Sequence, residues 1–461
     1  MRERIAKFAA SRPKGEWILL GEWDLQAWDS PALPTHELID DVTPDHPVFV
    51  NRVDAHTMLT NALAMNLAGL DRNTPDVAGG VIGRDAQGNP TGIVIDAAKS
   101  LIERVVPVPT VRQLADALYT AQQHAFKFGV TAVHDMGFVG SRAAERSADL
   151  FRAYQSLQSS GRLKVRTSLY TPLPQWEKLA NLGVLACFGN DTLQIGGLKG
   201  FADGSLGSST AWFLQPYTDD ETCIGGPSDE LSEPAEMRRT LFGGDAAGLQ
   251  LAIHAIGDRG NRTMLDLFEE IVLSNGPRDR RFRIEHAQHL HPFDLARFPP
   301  LKVIASMQPY HCIDDGRWAC GRIGQERAKE AWAFRSLLDA GATLAFGSDW
   351  WVAPIDPLAG IYAAVTRRPI DGSCEAGWTP EQKISVREAV HAYTMGTAYA
   401  AFQERIRGSI EAGKLADLAV LSRDIFAIDP VEIADTKVDL TIVGGEIVFA
   451  ADGSSGSGAK E

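Results

Sequence analysis

The chain predicts an α/β protein: a parallel sheet wound as a (β/α)8 TIM-type barrel whose first strand is missing, with an insertion subdomain and a partial β-sandwich. Three observations carry this. From residue 110 onward, short apolar runs alternate with stretches of helical length. Runs such as Leu249 to Ile253 are apolar on both faces, as in strands covered by helices on each side. Several of these runs end in a polar residue, and the C-terminal ends of parallel barrel strands are where catalytic groups sit.

Taken in order, residues 1–110 lack the strand–helix rhythm. Glu3 to Ser11 reads as a helix, and Trp17–Leu20 and Pro47–Asn51 as short strands. The stretch from His56 to Asn61 leads into a helix ending at Leu70, and residues 74–96 read as turns. This block is expected to be an insertion or lid, not barrel wall. The barrel is expected over 111–404, with seven strands beginning near 131, 163, 193, 249, 282, 303 and 343. Helices are expected at Val111–Gly129, Arg142–Ser159, Glu233–Ala247, Asn261–Leu273, Glu326–Ala340, Asp356–Thr366 and Ser385–Gly396. A closed barrel of this kind wants eight strands. Over 405–452, Gly408–Leu421 and Val438–Phe449 read as strands, the second carrying a Gly-Gly hairpin turn, and resemble half a β-sandwich, and 453–461 reads as a disordered tail.

Composition narrows the function classes. A net charge of -14 and the absence of basic runs argue against nucleic acid or a polyanion as partner. No apolar stretch reaches the roughly 18 residues of a membrane span. The five cysteines (187, 223, 312, 320, 374) lack paired spacing and read as free thiols in a reducing, cytoplasmic setting.

The chemistry gathers at strand ends: Lys199, His254, His286 and Asp349 each close an apolar run. A lone strand histidine is usually a hydrogen-bonded core residue. Two at equivalent ends, with an aspartate at a third, point to a divalent metal, most readily Zn2+, for which imidazole and carboxylate are suitable ligands. Asp349 also suits a general base beside a metal-bound water, or a helix N-cap before the helix at 356. Lys199 as an ammonium cannot ligate a cation, so its simplest reading is an ion pair with Asp203 or Asp349. His311 closes the 303 strand and faces the same mouth as a substrate contact. Asp54 and His56 are substrate contacts or a capped helix start, and His134 reads as structural. Cys312 and Cys320 carry no metal role. Trp23, Trp28, Trp350 and Trp351 are pocket or core aromatics.

Leu198-Lys-Gly-Phe-Ala-Asp-Gly-Ser-Leu-Gly-Ser208, His254-Ala-Ile-Gly-Asp258, Ile284-Glu-His-Ala-Gln288, Met307-Gln-Pro-Tyr-His311, Phe346-Gly-Ser-Asp349 and Gly413-Lys-Leu-Ala-Asp417 occur in one order. With Val53-Asp-Ala-His56 and Pro90-Thr-Gly92, they make the chain resemble the amidohydrolase superfamily, in its amidohydrolase-3 or YtcJ-like branch. The resemblance implies a metal-dependent hydrolase of amide or related C–N bonds in small molecules, with one or two divalent ions. It places Lys199, His254, His286 and Asp349 among the metal ligands, Lys199 as an N-carboxylated bridge. The His-x-His pair that such enzymes carry on their first strand is missing. The one pair with that spacing, His289 and His291, falls in what reads as a solvated loop. The expectation is an N-terminally truncated chain, with a catalytically impaired barrel acting only in binding as the alternative. A homodimer is the candidate assembly.

Overall fold

The computed structural model describes residues 1–451 except 20, 22, 24–27, 29–31, 53–56, 78, 79 and 139–142. The tail expected at 453–461 and the candidate contacts Asp54 and His56 lie outside the described residues. The chain divides into two compact units, Met1–Pro109 and Thr110–Glu461.

The first unit is a five-stranded sheet in the order β1-β2-β3-β5-β4. Its strands are β1 (Ile18–Leu19), β2 (Val48–Asn51), β3 (Thr57–Thr60), β4 (Gly80–Arg84) and β5 (Pro90–Asp96). β1 and β2 fall where expected, but two readings are corrected. Thr57–Thr60 is a fully buried strand. The helix begins only at Ala62, because Asn61 caps it through its side-chain oxygen. Residues 80–96 form a hairpin. Its tip is tied by Asp85, which accepts from the backbone of Gln87 (2.9 Å) and Asn89 (2.8 Å).

The second unit contains a curled, wholly parallel sheet of seven strands. They are β6 (Ala132–Asp135), β7 (Arg166–Pro172), β8 (Leu193–Phe201), β9 (Leu251–Ala255), β10 (Arg283–His286), β11 (Ile304–Met307) and β12 (Thr343–Phe346), paired in chain order. All seven expected strands are present. β6 and β12 are the two edges, so the sheet is open along one seam. The apolar runs work as anticipated: Leu251 and Ile253 are wholly buried, and each such side chain stabilises the fold by about 1.5–3 kcal/mol. The helix Val111–Phe126 starts at a capping box between Thr110 and Gln113. Its apolar stripe includes the buried Ala115, Ala125 and Phe126.

One long helix expected at Glu326–Ala340 is instead two. Ala319–Ala328 stops, the chain turns through Trp332 at φ 47°, and Phe334–Asp339 resumes. The wholly buried Arg367 guanidinium holds that break by donating to the carbonyls of Trp332 (2.9 Å) and Ala331 (3.1 Å), which a continuous helix would keep for itself. After residue 405, β13 (Leu418–Leu421), β14 (Val438–Val443) and β15 (Glu446–Ala450) form a three-stranded antiparallel sheet. Gly444 and Gly445 turn between the last two at φ 58° and 83°, angles at which only glycine is unstrained.

Candidate metal centre

Register determines which side chains meet. In a parallel sheet, neighbours in register share a face. Lys199, Ala252 and Arg283 form one such row, and Phe201, His254, Glu285 and Ser306 the row above. His254 and His286 are in contact edge to face, with ring centroids 4.5 Å apart. His311, in the first turn after β11, stacks near His286 at 6.1 Å between ring centroids, and its Nε2 is 3.8 Å from Asp349 Oδ2. The donor atoms of His286, His311 and Asp349 lie within 4.8 Å of one another. These are the side chains that the structure brings closest. His254 adjoins them through His286.

The backbone is bent to achieve this. His286 has φ 75° and Asp349 φ 57°, left-handed values that cost a non-glycine residue about 1–3 kcal/mol and persist where the surroundings enforce them.

The electrostatics favour neutral imidazoles. Burial pushes His254 well below the usual histidine range, with His286 and Lys199 adding to the effect. Burial does the same at His286, helped by Lys199, and at His311, where Asp349 opposes it. His254 Nε2 is 2.9 Å from the Gly204 carbonyl; a carbonyl only accepts, so Nε2 carries the proton and Nδ1 keeps a lone pair. His286 Nδ1 and His311 Nε2 are buried without any hydrogen-bond partner. Unpaired imidazole nitrogens in a cluster that includes a carboxylate fit a divalent cation, and the donor set of His286, His311 and Asp349 suits zinc or its neighbours.

Lys199 corrects the simplest expectation. It is 6% exposed, and neither Asp203 nor Asp349 pairs with it; its Nζ lies 4.6 Å from the centre of the Phe201 ring. Burial lowers its pKa, opposed most by Glu285 and then by Asp349. Asp203 is instead committed to the mouth's backbone, accepting from Ile256 (2.9 Å), Gly257 (2.7 Å) and Trp212 (2.9 Å).

Beneath the mouth lies a polar network that sequence reasoning missed. Arg283 Nε contacts Glu285 Oε1 at 2.7 Å. Its guanidinium also donates to His134 Nδ1 (2.9 Å), the Tyr170 hydroxyl (2.9 Å) and Ser306 Oγ (2.8 Å). Ser306 in turn donates to Glu285 Oε2 at 2.7 Å. The available signal was Arg283 and Glu285 two apart in one strand, hence on one face.

The remaining candidates scatter. His289 is not in a solvated loop: it is 3% exposed, between the rings of Phe213 and Trp332. His291 accepts from the Phe293 backbone as a helix N-cap. All five cysteines are free. Trp350 and Trp351 are exposed, whereas Trp23 is buried and stacked on Trp28. No helix among the described residues is long and apolar enough to cross a membrane.

Against this geometry, the comparisons agree with one another. The Amidohydrolase family description matches residues 1–449. The chain is 40% identical over 454 residues to Protein LONG AFTER FAR-RED 3 of Arabidopsis thaliana, covering 97% of this chain and 76% of that one. It is 32% identical to YtcJ of Bacillus subtilis (strain 168), a protein named as a candidate amidohydrolase, covering 95% and 80% respectively. It is also similar to an uncharacterised metal-dependent hydrolase from Pyrococcus horikoshii of known structure, with a TM-score of 0.76, 29% identity, and 93% and 81% of the two chains covered. An N-substituted formamide deformylase from Arthrobacter pascens is 25% identical over 98% of this chain and 82% of its own length. With strand ends that gather imidazoles around a carboxylate, and with whole-length relatives of this kind, the chain belongs to the amidohydrolase family.

Proposed function

We propose that the chain is a metal-dependent hydrolase of an amide or related C–N bond in a small molecule. The observation that supports this most is the convergence of His286, His311 and Asp349, whose donor atoms lie within 4.8 Å of one another, with His286 Nδ1 and His311 Nε2 buried and without a hydrogen-bond partner. Lys199, His254, His286 and Asp349 would hold the metal, zinc being the first candidate. When bound, a divalent ion supplies a water of lowered pKa and polarises the scissile carbonyl. Asp349, whose side chain is 38% exposed, would take the proton from the attacking water and pass it to the leaving nitrogen. The depressed pKa of Lys199 favours the neutral amine. That amine can add to CO2 and shed a proton, giving a carbamate with oxygen donors. His254 is oriented by its bond to Gly204 and offers Nδ1. Small uncharged amides suit the acidic chain better than polyanions. A cytoplasmic location and a homodimer complete this reading.

The test is a panel of N-formyl, amide, lactam and ester substrates assayed with metal analysis. Stoichiometric zinc, with hydrolysis lost on chelation and restored by added metal, supports the proposal. A second reading has its own observation in favour: among the described residues the sheet is open between β6 and β12. On that reading the barrel binds small molecules without turning them over. Retained ligand binding with no hydrolysis under any metal loading would favour it.

A further inference from the structure

We infer that His311 is itself a metal ligand and not only a substrate contact. It provides, together with His286 and Asp349, a three-donor grip on a divalent ion. The inference rests on the metal-dependent reading above and adds a ligand to it. Three donors from β10, the turn after β11 and the end of β12 converge within 4.8 Å of one another. His311 Nε2 is buried and has no hydrogen-bond partner, yet it sits 3.8 Å from Asp349 Oδ2, too far for a hydrogen bond. Donors bound at about 2.0–2.2 Å around a tetrahedral zinc stand about 3.4 Å apart, so the His311–Asp349 pair at 3.8 Å closes by about 0.4 Å and the widest pair of the set, within 4.8 Å, by at most about 1.4 Å. The His286 and His311 rings stack within 15° of parallel, with centroids 6.1 Å apart. His289 and His291 cannot substitute, because the first is packed between aromatic rings and the second caps a helix.

The test uses Co2+ alone as probe, on the full chain. Anomalous diffraction from Co2+-loaded crystals of the unaltered protein is expected to place an ion within bonding distance of His311 Nε2. In solution, His311→Gln is expected to weaken Co2+ binding roughly a hundredfold or more, beyond the usual effect of losing a mere orienting partner. It should also change the visible cobalt absorption. An ion bound beyond reach of His311, with affinity and spectrum unchanged in the variant, overturns the inference while leaving metal dependence intact. Absence of any bound Co2+ in the unaltered protein overturns both. The crystallographic arm stands even if the variant fails to fold.

Discussion

Replacing Arg283 by methionine removes the cation at the centre of the barrel floor. The Arg283 and Glu285 side chains are 3% and 5% exposed, so neither charge is solvated. Without the guanidinium, Glu285 keeps the hydrogen bond from Ser306 and loses its ion pair. Lys199 attracts Glu285 but forms no ion pair with it, so compensation is incomplete. Breaking a buried pair from one side costs about 3–5 kcal/mol, because an uncompensated charge remains. The bonds to His134, Tyr170 and Ser306 are lost with it, at about 1 kcal/mol each before relaxation. Arg283→Met is therefore expected to destabilise by about 4 kcal/mol or more. The double variant Arg283→Met/Glu285→Gln should recover at least about 2 kcal/mol of that through coupling. Urea unfolding followed by tryptophan fluorescence reads both. A single variant within about 1 kcal/mol of the parent, or two additive substitutions, would refute the claim that Glu285 is left undercompensated without Arg283.

Two other expectations concern stability. Burial pushes His289 down to about 3, from about 6.5 in the unfolded chain. Its contribution is present in full above about pH 6.5. It is lost as pH falls towards 3, because the unfolded chain takes up a proton that the folded one refuses. His289→Phe should flatten the fall of urea midpoint stability between pH 6 and 4 by about 1.4 kcal/mol per pH unit, and an unchanged slope would count against it. Asp417→Ala should strand Arg166, whose Nη2 donates to Asp417 Oδ1 at 2.8 Å, and free the Gly444 amide bound to the same oxygen. A loss of about 3–5 kcal/mol is expected, with hydrogen exchange accelerating first in β13 to β15. Uniform exchange across the second unit would argue against that placement.

The barrel strands were legible because parallel strands under helices are apolar on both faces, and Leu251 and Ile253 needed no partner to be recognised. β4 and β5 were not, because glycine and turn residues dominate their composition while their pairing is long-range. The break at Trp332 was hidden for a related reason: Arg367, which holds it, is distant in sequence. At the mouth, His254, His286 and Asp349 announced themselves as polar ends of apolar runs. The closeness of His311 to Asp349 depends on how β11 and β12 register, which no local pattern encodes.

The left-handed φ at His286 has a consequence for how the mouth is furnished. Along an ordinary strand, consecutive side chains face opposite ways, so with Glu285 inside, the next residue belongs outside among the helices. The reversal at His286 suspends that alternation for a single step. One strand thus delivers two successive functional groups to the same interior, a carboxylate below and an imidazole above it. Three of the four residues of β10, Arg283, Glu285 and His286, furnish both the floor and the rim of one mouth, a density that pleating alone would forbid.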